Sequence, residues 1–87
     1  MSVHRYVVSV MPREGILDPQ GRAVESALPH LDVRGVRDVR VGRRVELSVE
    51  AASEGEATAL VERLAGELFA NPLIEAWRVE RLEEALR

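Results

Sequence analysis

Side chains able to do acid–base, nucleophilic or metal chemistry are few in this 87-residue chain and badly placed for it. His4 and His30 are the only histidines and cysteine is absent, which removes thiolate ligands, disulfides and Cys nucleophiles together. No pair of candidate ligands shows a spacing such as H-x-x-x-H, which would put both on one helix face, so no metal site is expected. Ser9, Ser26, Ser48 and Ser53 lack the local signature of an activated nucleophile. Carboxylates recur in pairs, Glu46 with Glu50, Glu62 with Glu67 and Glu83 beside Glu84, and read as solvated acidic faces rather than a general acid and base flanking a cleft.

One charged cluster stands out: Arg34, Arg37, Asp38, Arg40, Arg43 and Arg44, in a chain whose net charge is -3. Such a cluster can hold a phosphate, an RNA backbone or an acidic protein surface. RNA recognition on a sheet normally uses exposed aromatics for base stacking, and Tyr6 and Trp77 are the only candidates. The negative net charge also disfavours loose attraction to nucleic acid or an anionic membrane. A protein-docking surface remains, beside plain solvation. No stretch approaches 18 apolar residues and the N-terminus has no signal-peptide pattern, so a cytoplasmic protein is expected.

The elements that must position these residues follow from pattern. Val3 to Met11 is rich in β-branched residues and bounded by Pro12, a strand; apolar residues on both of its faces predict cover from two sides. Gly15-Ile-Leu-Asp-Pro-Gln-Gly21 is the junction around which the chain is organised. Pro19 suits the first helical position, Asp18 falls on the N-cap, and Ile16 and Leu17 are placed to staple the entering chain onto the first turn. The carboxylate at the anion-attracting end argues against a phosphate-cradling loop. The first helix presents Val24, Ala27, Leu28 and Leu31 as a stripe for burial, and Pro29 should end regular helix near Leu28, with one tight turn to Asp32. Val36, Val39 and Val41 predict a second strand, turning at Gly42-Arg43 into a third, in which Val45, Leu47 and Val49 alternate with Glu46, Ser48 and Glu50. Ser53 caps a second helix with the stripe Ala57, Leu60, Val61, Leu64 and Leu68, stopped by Asn71-Pro72. Ile74 to Val79 is the last strand, and Arg81 to Arg87 could add a turn or two of helix.

This order, β-α-β-β-α-β over a single domain of residues 1–87, predicts an α+β two-layer sandwich of ferredoxin-like type: an antiparallel sheet of about four strands with two helices on one face. A sheet so covered leaves its second face bare. Apolar residues there imply that it meets a second copy of the chain.

Three stretches together resemble the PurS family: the Gly15 to Gly21 junction with Ala23-Val-Glu25 behind it, Val36-Arg-Asp-Val-Arg-Val-Gly42 ahead of the alternating strand, and Leu68-Phe-Ala-Asn-Pro-Leu-Ile-Glu75. Arg43 stands where that family commonly has Lys. PurS is the small subunit of phosphoribosylformylglycinamidine synthase in purine biosynthesis. The resemblance implies a βαββαβ, PurS-like fold and a non-catalytic subunit that bridges a PurQ-type glutaminase and a PurL-type, ATP-dependent synthetase for ammonia transfer. It implies no cofactor in this chain, with ATP and Mg on the large subunit, and self-association as a homodimer or tetramer. Interface candidates are Asp18 and Gln20 of the junction, Arg40, Arg43 and Arg44 of the hairpin, and Asn71 and Pro72 of the turn. A free-standing regulatory module of the same fold, binding a small metabolite, is the alternative.

Overall fold

The computed structural model describes residues 1–82. Strand β1, Ser2–Pro12, is the centre of a three-stranded sheet in the order β2-β1-β3, antiparallel throughout. Helix α1, Pro19–Ala27, runs into a short 3-10 turn, Leu28–Leu31; β2 spans Arg43–Ala51; helix α2, Glu54–Leu64, continues into a π turn, Ala65–Phe69; β3 spans Glu75–Arg81. The helical tail expected over Arg81 to Arg87 lies, from residue 83 onward, outside the described residues.

Alternation builds the core from one face of the sheet. Tyr6, Val8 and Val10 of β1 face Val49 and Ala51 of β2, and α2 lays Ala57, Val61 and Ala65 onto them. Small residues at those helix positions let α2 sit close to the strands, and the single aromatic of β1 is tied down at its polar end. Tyr6 Oη lies 2.7 Å from Thr58 Oγ1 and donates to the Glu54 carbonyl at 3.3 Å, both on α2. The stripe of α2 differs from expectation at its end. Leu68 is 71% exposed, while Phe69 packs on the core. The π turn inserts the extra residue that rotates Leu68 outward. Ser53 caps α2 as predicted, accepting from Glu56 N–H at 3.1 Å.

The structure corrects the sequence reading in three respects. Residues 36–41 form no strand, so the sheet has three strands among the described residues, not about four. Their amides go elsewhere: Val39 N–H donates to Glu25 Oε1 at 2.9 Å and Val41 N–H to Asp18 Oδ2 at 2.8 Å, while Asp38 adopts φ 58°. Two carboxylates on and before α1 thus compete successfully with a ladder. Second, α1 buries only Gly21; Val24 and Leu31 of its expected stripe are exposed, so α2 alone covers the sheet face. The chain is accordingly long and thin, 53 × 29 × 13 Å with a radius of gyration of 16.4 Å. A compact chain of this length would have about 12 Å. Third, the bare sheet face is mixed rather than apolar: Val3, Val7 and Met11 of β1 lie on it among charged side chains. Arg5, Arg44, Glu46, Glu50, Arg78 and Glu80 line it, with Arg44–Glu46 and Arg78–Glu80 pairs at 3.4 Å. Val7, the buried residue on that face, is flanked across the strands by Glu46 and Glu80, whose aliphatic stems can cover it.

Candidate functional site

The end of the sheet where β1 stops and β2 and β3 begin gathers most of the residues singled out from the sequence. Asp18 is the N-cap of α1, and its two oxygens do different work. Oδ1 accepts from Gly21 N–H at 2.9 Å and closes the first turn, while Oδ2 takes Val41 N–H and ties the returning chain to the helix. Gly21 makes this contact possible, since a Cβ there would stand 2.2 Å from the Val39 carbonyl oxygen. Ile16 and Leu17 do not close onto the first turn as a staple; they are 40% and 68% exposed.

Arg43 opens β2 and, half exposed, reaches across the sheet end. Its guanidinium makes two 2.8 Å bonds to the Glu75 carboxylate at the start of β3 and a further bond to the Phe69 carbonyl. The fork geometry of Arg serves all of these at once, which the point charge of a Lys would not. Glu75 Oε1 also accepts from Asn71 N–H at 2.8 Å. Asn71 is spent inside the turn as well: Oδ1 accepts from Leu73 N–H at 3.1 Å, and its carbonyl accepts from Ile74 and Glu75 N–H. Arg13, which sequence reasoning missed, donates from its side chain to the Pro72 carbonyl and from its backbone N–H to the Ile74 carbonyl.

Asp18, Gln20 and Arg43 therefore share one cleft of about 470 Å³, walled by Ile16, Leu17 and Ile74, with the Asn71-Pro72 turn beside it. Arg40 lies on the other side of the junction, in a shallower hollow with Arg13, Arg22 and Asp38. Arg44 is not part of the group; it is paired to Glu46 on the outer sheet face. Glu75 and Arg13 were invisible as site residues because Glu75 pairs with Arg43, 32 positions away, and Arg13 with the Pro72 carbonyl, 59 positions away. For Glu75 the sequence signal was its nearness to the Asn-Pro stop; Arg13 had none.

Two acids of this end titrate low. The Gly21 and Val41 amides hold the Asp18 carboxyl below the ordinary carboxylate range, and the Arg43 guanidinium followed by the Asn71 amide does the same for Glu75. Unfolded, both groups take up protons near pH 4. Folded, they resist, so the stability they contribute is complete above the unfolded values and is lost as pH falls through the lower folded ones. The melting temperature should hold level from pH 7 to about 5 and then fall steeply between about pH 4.5 and 3. Asp18→Asn and Glu75→Gln, combined, should flatten that fall in a thermal melt series; an unchanged slope would show that other carboxylates govern it.

His4 meets Ser2 Oγ at 3.0 Å near the far end of β1, and His30 lies in the turn after α1, so neither approaches the cleft. Among the described residues no three His, Cys, Asp or Glu side chains converge to hold a metal ion, and no helix is long and apolar enough to cross a membrane. What the sheet end offers is shape and apolar surface held by internal hydrogen bonds.

Comparison with known proteins gives this architecture its context. Residues 5–83 match the family model PurS, phosphoribosylformylglycinamidine (FGAM) synthase. The chain is 43% identical over 77 residues to the phosphoribosylformylglycinamidine synthase subunit PurS of Mycobacterium leprae, covering 88% of this chain and 94% of that one. It is similar to the solved PurS of Bacillus subtilis, at 39% identity and TM-score 0.78 over 88% of this chain and 95% of that one. The PurS-like chain in the PurLQS structure from Thermotoga maritima superposes with TM-score 0.84 at 28% identity, over 93% of this chain and 99% of that one.

Proposed function

The chain belongs to the PurS family, and on that footing we propose that it is the small, non-catalytic subunit of phosphoribosylformylglycinamidine synthase, acting in cytoplasmic purine biosynthesis. It bridges a PurQ-type glutaminase and a PurL-type synthetase so that ammonia released by the first reaches the amide activated by the second. ATP and Mg belong to the synthetase in this reading, and the chain itself holds no cofactor. The observation that carries it is the near-complete superposition on a chain solved within a PurLQS assembly. The physical character of the sheet end supports the same role: a rigid, apolar-walled cleft without a converging set of reactive side chains suits binding to protein better than turnover.

Self-association is part of this proposal, but its basis moves. The outer sheet face, where charged side chains stand among Val3, Val7 and Met11, is a weaker reason for a second copy to cover it than the sequence suggested. The α1 arm is a stronger one: Val24, Leu31, Val33 and Val36 are exposed along it, and a nine-residue helix gains little stability by itself. A second copy covering these arms would supply the missing burial.

Mixing the chain with a PurL-type synthetase and a PurQ-type glutaminase and following glutamine-dependent amidine formation tests the assignment. Activity with glutamine should need all three chains; full activity without this one would sink it. Arg40 and Arg43 provide a finer check of the interface. Arg40→Glu, which breaks no hydrogen bond among the described residues but reverses a charge that favours the Asp18 carboxylate, should delay or split the complex on a sizing column, and Arg43→Glu should do so more strongly because it breaks the Glu75 pair. If both variants co-elute with the partners like wild type, this end is not a contact.

A further inference from the structure

The chain carries two apolar surfaces that fit one another yet do not meet within one copy. The first is a trough on the helix-covered face of the sheet. Trp77 Nε1 donates to Glu62 and its ring lies against Gly66, which turns that flank of α2 toward β3. Leu60 and Leu64, two positions to either side of Glu62, therefore stand on the opposite flank, above β2. Beneath them Val45 and Leu47 of β2 are only partly buried, and Leu60 is 39% exposed. The second surface is the stripe of α1, where Val24 and Leu31 are open. In a βαββαβ sandwich the first helix would fill that trough beside the second. Here the hinge forbids it. A tight hairpin spends two residues on its loop, and between Val41, held by Asp18, and Arg43, paired with Val10 and clasped to Glu75, there is Gly42 alone. Gly42 is itself wedged against the Val10 carbonyl, so residues 36–41 run into β2 without a turn and α1, bonded to them through Asp18 and Glu25, is carried off its own sheet.

We propose that two copies of this chain close by exchanging arms: α1 and residues 36–41 of each copy lie in the trough of the other, with Val24 and Leu31 packed on Val45, Leu47, Leu60 and Leu64. The inference rests on the self-association proposed above and names its contact and its cause. A hinge too short to fold back is a recognised route to such an exchange, and the exchange is reciprocal, so one pair of contacts closes both copies. The occupant is fixed by what the chain itself leaves over, a helix without a sheet and a sheet flank without a helix. Charge agrees with the assignment. α2 and its π turn carry Glu54, Glu56, Glu62 and Glu67 against Arg63 alone, while residues 34–40 of the arm carry Arg34, Arg37 and Arg40 against Asp38.

The test is sedimentation of the full chain, with solution scattering for shape. Val24→Glu and Leu60→Arg should each weaken the dimer by at least about tenfold. Mixed together they should restore a dimer that neither forms alone, because in the mixed pair the glutamate of one arm meets the arginine of the other trough and the second contact is wild type. Val3→Glu, on the outer sheet face, should leave the dimer intact. Inserting Asn-Gly between Val41 and Gly42 supplies the missing turn, so the arm folds back on its own sheet and the chain becomes a monomer with a radius of gyration near about 12 Å. If the inserted chain fails to fold, the mixing experiment decides. A dimer untouched by Leu60→Arg, a mixture that stays monomeric, or disruption by Val3→Glu instead overturns the exchange while self-association stands. A monomeric wild-type chain overturns both, and leaves the coupling role to the glutamine-dependent assay.

Discussion

Gly42→Ala should lower the melting temperature of the isolated chain by more than about 10 °C, the largest effect expected of any single methyl group added to this protein. A Cβ at this position would lie 2.1 Å from the Val10 carbonyl oxygen and 2.3 Å from Met11 Sδ. The thioether can swing aside. The carbonyl cannot, because Val10 belongs to the central strand and is paired to Arg43 on one side and Trp77 on the other. Relief therefore requires the chain entering β2 to lift from β1, which pulls Arg43 away from Glu75 and the cleft apart. Overpacking of this kind costs about 3 kcal/mol or more where backbone must move. A domain of this length has about 4–13 kcal/mol in total, so a large share of its stability is at stake. Thermal unfolding followed by circular dichroism measures it directly. A loss of only a degree or two would mean that residues 41–43 have freedom to shift which the structure does not show.

Gly21→Ala makes the same kind of clash with a different outcome. Its Cβ would meet the Val39 carbonyl oxygen at 2.2 Å and Asp18 Oδ2 at 2.6 Å. Here the opposing backbone belongs to no strand and is held to α1 by just the Asp18 and Glu25 carboxylates. The expected result is undocking of residues 36–41 from α1 rather than global unfolding. Hydrogen exchange should report it as a loss of protection of about 100-fold at the Val39 and Val41 amides, with β1 and α2 amides unchanged. The α1 arm would lose its fixed angle to the sheet, so self-association should weaken as well. Equal loss of protection throughout the chain would show that arm and sheet unfold as one unit.

The contrast between these two glycines marks what pattern can and cannot reveal. Both sit next to obvious punctuation, yet Gly21 lies inside α1, and the turn expected at Gly42-Arg43 does not form: Gly42 is irregular backbone and Arg43 already opens β2. Neither neighbour suggests that backbone from 18 or 32 residues away passes within van der Waals distance. The same limit explains the strand that failed to form. Val36, Val39 and Val41 carry a β pattern, and the sequence offers no sign that Glu25 and Asp18 would claim two of its amides. The stripe of α1 misled for a related reason: periodicity reports which face of a helix is apolar, not whether anything within the same chain covers it.

Local chemistry alone settled a good deal. Asp18 on the N-cap with Pro19 behind it, the tight turn after Leu28, Ser53 at the head of α2, the alternation of β2 and the stop at Asn71-Pro72 were all readable, because each depends on residues within four positions of one another. The three family-like stretches likewise pointed to the PurS family, to which the chain belongs. Tertiary structure decided the rest. Among the described residues it left the sheet with three strands and an outer face of mixed charged and apolar side chains, carried α1 off the core, and made the half-exposed Arg43 the clasp of Glu75. Those outcomes hinge on which distant donor reaches which acceptor first, a competition among groups far apart along the chain that no local spacing records.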